Sequence, residues 1–243
     1  MKKLKQLFSL KDKTAIITGG FGHLGSAITE TLLEQGAKVI ITCTKEEFKK
    51  HSGLKNISTA VINFSDKDSI INFFNSIKSA DILINCAYSW VRDDFDSEVD
   101  SNLSAIFLCS KLFFEKCKGK GVIINIGSMY GVVSPDFRIY ERENLATTPG
   151  YAAVKGGVIQ LTRYLAGRWA KHGMRVNSIS PGPFPKKNVV KNKKFIKSLQ
   201  GKTMLGRIGQ PEDLKGVVAL LASDASSYIT GQNFIIDGGW TAW

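Results

Sequence analysis

Thr14-Ala15-Ile16-Ile17-Thr18-Gly19-Gly20-Phe21-Gly22-His23-Leu24-Gly25 is the stretch whose reading decides the fold. A short β-prone run ends in a glycine-rich turn, and a helix-like run follows from Leu24 to Gln35. Strand, glycine turn and helix in this order can receive a phosphate. Backbone N–H groups and the dipole at the helix start stabilise an anion, and missing side chains let it approach. Gly19, Gly22, His23, Leu24 and Gly25 are the candidate contacts, with a purely structural turn as the alternative.

Outward from this unit the alternation repeats. Apolar runs at 14–18, 38–42, 58–63, 82–85, 122–126, 175–179 and 233–236 read as strands. Runs at 24–35, 67–78, 100–117, 151–172 and 211–222 read as helices, the last opening on Gln210-Pro211-Glu212-Asp213, a helix-start signal. Such alternation predicts a parallel sheet covered on both faces: one doubly wound α/β domain of Rossmann type over residues 1–243, with seven strands. Two segments, 131–150 and 181–203, fit no regular pattern.

Composition narrows the function classes. The 243 residues are 43% apolar and 22% charged, which suits one globular domain. No apolar run reaches the roughly 18 residues of a membrane span, and Met1-Lys2-Lys3-Leu4-Lys5 lacks the pattern of a secretory signal, so a cytoplasmic protein without membrane contact is expected. Cys43, Cys86, Cys109 and Cys117 show neither C-x-x-C spacing nor a nearby His, so free thiols are expected and no metal is implied. The net charge of +12 is unevenly spread: from Asn144 to Pro211 there are thirteen Lys and Arg and no Asp or Glu. Its densest part, Lys186, Lys187, Lys191, Lys193, Lys194, Lys197 and Lys202, lacks the interleaved aromatics of a single-strand binder, and nucleic acid is not the expected partner.

Tyr151 and Lys155 stand four apart at the start of a helical run, so both project from one face. An ammonium within about 4–6 Å of a phenol favours the phenolate, moving its pKa down from about 10 toward a range useful for proton transfer. The same spacing occurs on ordinary helices, and the other motifs give it weight.

Thr18, Gly19 and Gly25 nearly meet the pattern T-G-x-x-x-G-x-G, with His23 where the middle glycine is expected. Asn102-Leu103, Asn125-Ile126-Gly127-Ser128, Tyr151 to Lys155, Ser180-Pro181-Gly182-Pro183 and Asp237-Gly238-Gly239 follow in order. Over about residues 10–240 the chain resembles the short-chain dehydrogenase/reductase family. The family's Asn-Asn-Ala-Gly is half kept, as Asn85-Cys86-Ala87-Tyr88. The resemblance implies an NAD(P)-dependent oxidoreductase acting on a secondary alcohol or ketone, with Asn102, Ser128, Tyr151 and Lys155 as its catalytic residues. Ser128 would bond the substrate oxygen and Tyr151 pass the proton. Lys155 would stabilise the tyrosinate and hold the nicotinamide ribose, and Asn102 position a water that links Lys155 to solvent. Gly19, Gly22, His23, Leu24, Gly25, Thr44, Lys45, Asn63, Asn85, Ala87, Tyr151, Lys155, Pro181 and Gly182 would contact the cofactor.

After the second strand come Cys43-Thr44-Lys45, with no carboxylate for an NAD ribose and two groups able to bind a 2′-phosphate, so NADP is favoured over NAD. Between Ser128 and Tyr151 lie 22 residues, more than the family keeps, so 131–150 is an inserted loop that either contacts substrate through its polar groups or forms a surface flap. The lysine run falls in the family's substrate lid, around 183–205, and favours an anionic or polyhydroxylated substrate unless it is only a solvated face. Tyr88, Trp90 and Arg92 can add an aromatic wall and a cation. The likeness extends to members of surface-sugar biosynthesis, which suggests an anionic sugar derivative. The family's habit implies a homotetramer or homodimer. A catalytically silent dinucleotide sensor or scaffold is the alternative.

Overall fold

The computed structural model describes residues 1–51, 57–91, 94–140 and 147–243, with 49–51 described by their backbone alone. Its strands are β1 (Thr14–Thr18), β2 (Lys38–Cys43), β3 (Ile57–Val61), β4 (Ile82–Asn85), β5 (Gly121–Ile126), β6 (Met174–Pro181) and β7 (Asn233–Ile236). Among the described residues they form one seven-stranded sheet in the order β3-β2-β1-β4-β5-β6-β7, and every neighbouring pair is parallel. This is the doubly wound Rossmann-type fold expected from the sequence.

Nine α-helices cover the sheet or extend from it among the described residues: α1 (Leu4–Leu7), α2 (Gly25–Glu34), α3 (Lys45–His51), α4 (Lys67–Ser76), α5 (Phe95–Val99), α6 (Ala105–Lys116), α7 (Pro149–Trp169), α8 (Lys193–Gln200) and α9 (Lys215–Ala222). Successive strand residues face opposite sides, so Ala15 and Ile17 pack with Ile28 and Leu32 of α2 and Val218 and Leu221 of α9. Ile16 points the other way, with Phe73 and Phe74 of α4, Phe113 of α6 and Trp169 of α7.

The expected elements were shifted mainly at their ends. α7 starts two residues before Tyr151 because Thr148 caps it, accepting from the Tyr151 N–H at 3.0 Å, and Pro149 occupies the first turn. The expected helix 100–117 opens with a π-helical turn, Asp100–Ser104. The short α1, α3 and α5 are too brief to show a period of their own, and α8 lies in the lysine-rich segment 181–203, where Phe195, Ile196 and Leu199 make only a single apolar stripe.

Candidate active site

Strand order reverses between β1 and β4, since β2 and β3 continue on one side and β5 to β7 on the other. In such sheets a crevice opens beyond the carboxyl ends of the strands at that switch point. The turn after β1 enters it. Gly19 adopts φ +67°, open to glycine at little cost, and a Cβ there would lie 3.0 Å from the Ala87 Cα. A Cβ at Gly25 would collide with the Gly19 carbonyl. Thr18 ties the two strands together, its Oγ1 accepting from the Cys86 and Ala87 N–H groups at 2.9 and 3.0 Å. The result is a cradle closed to side chains at the N-terminus of α2, the chemistry that a pyrophosphate requires. The cavity it opens into has a volume of about 490 Å³.

Ser128, Tyr151 and Lys155 line the same cavity. Ser128 follows β5, where its Oγ accepts from the Tyr130 N–H at 3.1 Å and opens a 3₁₀ turn, Met129–Gly131. The Ser128 hydroxyl stands near enough to the Tyr151 phenol to favour its ionised form. Lys155 is 5% exposed. Its Nζ donates to the Ile126 carbonyl at 2.8 Å and lies 5.7 Å from the Tyr151 ring centroid. Burial pushes the Lys155 ammonium down to about 8. Burial also raises the Tyr151 phenol above its ordinary value, against the lowering by the neighbouring Ser128 hydroxyl. The downward shift expected from the neighbouring lysine is therefore corrected: desolvation of the phenolate sets the direction, and it is upward.

Around these groups stands an aromatic cluster. Trp90 stacks on Tyr151 with centroids 5.1 Å apart and planes 2° from parallel, and Tyr88 meets both edgewise at 5.0 Å. The Tyr88 hydroxyl donates to Glu98 Oε1 at 2.8 Å, and Thr148 donates to Glu98 Oε2 at 2.6 Å. Glu98, 1% exposed, escaped the sequence reading. The signal was its place four residues before Asn102, on the same helical face.

A family model described as "Enoyl-(Acyl carrier protein) reductase" matches residues 22–241. The 3-oxoacyl-[acyl-carrier-protein] reductase FabG of Rickettsia prowazekii is 35% identical over 251 residues, covering 96% of this chain and 98% of the relative. The chain belongs to the short-chain dehydrogenase/reductase family. A short-chain dehydrogenase from Leptospira borgpetersenii, solved with bound NAD+, superposes with a TM-score of 0.85 at 37% identity, covering 99% of this chain and 96% of the other. A gluconate 5-dehydrogenase from Burkholderia cenocepacia, in complex with NADP and tartrate, reaches 0.84 at 28% identity, with coverage of 99% and 100%.

Against the family's pattern, the crevice gathers most of the expected residues. Gly19, Gly22, His23, Leu24, Gly25, Thr44, Asn63, Ala87, Pro181 and Gly182 all line it. His23, the departure from the glycine pattern, lines the crevice, and burial together with the nearby Lys186 holds its imidazole below the ordinary value. Three residues lie elsewhere. Asn85 is buried under the floor, its Nδ2 donating to Asn125 Oδ1 at 2.8 Å and Ser110 Oγ at 3.2 Å, so it supports the strand ends from below. Lys45 begins α3, exposed and outside the cavity lining. Asn102 spends its side chain on protein: Nδ2 donates to the Ser89 and Glu98 carbonyls, each at 2.8 Å, and Oδ1 accepts from the Ser89 N–H at 2.8 Å. The π-helical turn sets the Glu98 carbonyl in reach, so the Asn102 amide fixes the loop carrying Ser89 and Trp90.

At the end of β2 the premise behind the NADP expectation changes. A carboxylate is present, four residues later than the strand end: Glu47 lines the crevice and its Oε2 accepts from the Thr44 N–H at 3.0 Å. A one-turn cap at the start of α3 brings it there.

The two segments expected as substrate lid and inserted loop are joined to each other. Phe195, Ile196 and Leu199 of α8 pack on Met129, Tyr130, Ile139, Tyr151 and Trp240. Lys202 pairs with Asp136 at 2.6 Å, and Arg138 and Lys202 hold the Asp136 carboxyl well below the usual carboxylate range. Tyr140 shares a hydrogen bond of 3.0 Å with Tyr130. Packing the apolar face of α8 inward turns Lys193, Lys194 and Lys197 outward, and of the lysine run only Lys186 lines the described cavity. Arg92 and residues 141–146 lie outside the described residues.

Proposed function

We propose that this protein transfers hydride between a nicotinamide dinucleotide and a secondary alcohol or ketone, with Ser128, Tyr151 and Lys155 as catalytic residues and Asn102 as the holder of the adjoining loop. The observation that carries this reading is convergence: the glycine cradle and the Ser128, Tyr151 and Lys155 group open into one cavity. The bound nicotinamide supplies or accepts the hydride. The chain manages the proton. Ser128 hydrogen-bonds the substrate oxygen and orients it toward Tyr151. In reduction the Tyr151 hydroxyl gives its proton to that oxygen as it becomes the alcohol. In oxidation the tyrosinate takes the proton back, and the Lys155 charge lowers the energy of that anion.

The adenosine end supports NAD over NADP. Glu47 can accept from a ribose 2′-hydroxyl, whereas a 2′-phosphate beside its carboxylate meets repulsion of about 1 kcal/mol or more. Thr44 has also committed its N–H to Glu47.

For the substrate we favour a polyhydroxylated, anionic sugar derivative. Trp90 and Tyr88 offer flat apolar faces beside Tyr151, Lys186 offers a cation, and the gluconate 5-dehydrogenase is among the structural neighbours. The outward lysines of α8 favour a second reading, a 3-oxoacyl group carried on an acidic partner, in line with the named activity of the Rickettsia relative. We place the protein in the cytoplasm as a homotetramer or homodimer. No helix among the described residues is long and apolar enough to cross a membrane, and Phe107 on α6 and Tyr164 on α7 are exposed where helices can pair between subunits.

The test follows nicotinamide absorbance with NADH and NADPH against keto sugar acids and 3-oxoacyl thioesters. Turnover of sugar acids, faster with NADH, is expected. Turnover of thioesters alone would replace the substrate reading, and binding of dinucleotide with no turnover of any ketone would favour the silent sensor.

A further inference from the structure

Glu98 lies beside the site, and the chemistry proposed above does not use it. It sits on α5, where Phe95 is 53% exposed, yet its own carboxylate is buried at 1% exposure. A buried carboxylate is costly to keep and is retained where its hydrogen bonds organise something. Here both oxygens are engaged, one by the Tyr88 hydroxyl and one by Thr148. Space is reserved for them, since a Cβ at Gly150 would collide with Glu98 Oε2.

The two partners lead to the candidate site from opposite sides. Thr148 accepts from the Tyr151 N–H at 3.0 Å and so fixes the first turn of α7. The Tyr88 ring lies 4.9 Å from Lys155 Nζ and meets Tyr151 at 5.0 Å. A phenol donating to a carboxylate has a more electron-rich ring, which strengthens its attraction for an ammonium over its face. The head of a lysine on its flexible stem is thereby held from two directions, by the Ile126 carbonyl and by the Tyr88 face.

We propose that Glu98 and Tyr88 are positioning residues: the buried carboxylate orients the Tyr88 ring, and the ring sets the Lys155 ammonium where it meets the nicotinamide ribose. The pair replaces a plain glycine turn after β4 with a built support, and this rests on the dinucleotide reading above. Neither residue touches the reacting atoms.

The experiment measures binding alone. Fluorescence titration gives the Kd of NADH, and calorimetry the Kd of ADP, which lacks the nicotinamide ribose, for wild type, Glu98→Leu, Tyr88→Leu and Glu98→Gln. The two leucine variants should weaken NADH by about fivefold or more, the worth of one hydrogen bond, and leave ADP within about twofold. Glu98→Gln keeps an acceptor for Tyr88 and a polar contact to Thr148, and should bind NADH like wild type. Unchanged NADH affinity in both leucine variants overturns the proposal. So does parallel loss of NADH, ADP and thermal stability, which marks a general packing role. Wild-type protein that binds neither ligand removes the dinucleotide reading itself, a result distinct from either.

Discussion

Tyr151 and Lys155 are each driven by burial toward the neutral form, the phenol raised and the ammonium pushed down to about 8. A phenol held protonated is ready to donate. Reduction is therefore expected to be the faster direction near neutral pH, while the oxidation rate climbs as alkali generates tyrosinate; initial rates in both directions across pH 6–10 check this. For Lys155 the folded value of about 8 lies below the ordinary 10.5. Between those values the unfolded chain keeps a proton that the folded protein has lost, so the lysine's contribution to stability rises with pH, by at most about 1.4 kcal/mol per unit. Below the folded value its burial penalty is complete and constant. Urea unfolding at pH 7.5 and 9.5 should show wild type gaining on Lys155→Met at the higher pH; an unchanged difference would mean the ammonium is not desolvated. At this scale the sequence exposed Tyr151 and Lys155 through their spacing and Ser128 through its place after a strand. Glu98 stayed hidden because burial of a lone carboxylate depends on Tyr88 and Thr148, which come from distant elements.

At the scale of elements, the strand and glycine turn at 14–25 were legible because backbone geometry there demands glycine. The junction of β2 and α3 was not. Only the fold of α3 shows that Glu47 returns to the crevice to cap its helix at Thr44. Removing that charge should relax cofactor choice: Glu47→Gln is expected to shift the ratio of NADH to NADPH affinities toward NADPH by about tenfold, measured by fluorescence titration. A ratio that stays put would place the 2′ position away from Glu47. The segments 131–150 and 181–203 likewise read as separate irregular stretches, yet Asp136 with Lys202 and Tyr140 with Phe195 bind them together. Long-range pairs of this kind leave no periodic trace.

Over the whole molecule, the parallel sheet and the two faces of the core follow from alternating apolar runs, which is why the architecture was legible in the sequence, whereas the order of the strands was not. What the charge excess does was not legible either, because the outward turn of the α8 lysines is set by where Phe195, Ile196 and Leu199 pack. Assembly is a property of this scale as well. Phe107 and Tyr164 are 43% and 58% exposed, and the pair of variants Phe107→Glu and Tyr164→Glu is expected to lower the mass seen by light scattering with secondary structure retained. Wild-type protein already monomeric would remove the assembly reading.

The central claim is that the Tyr151 hydroxyl is the proton donor beside a bound dinucleotide. Tyr151→Phe, assayed with NADH and whichever ketone the substrate screen identifies, tests it most directly. Loss of at least about a hundredfold in kcat with the NADH Kd within a few-fold of wild type is the expected result. Retention of the full rate by the phenylalanine variant would contradict it.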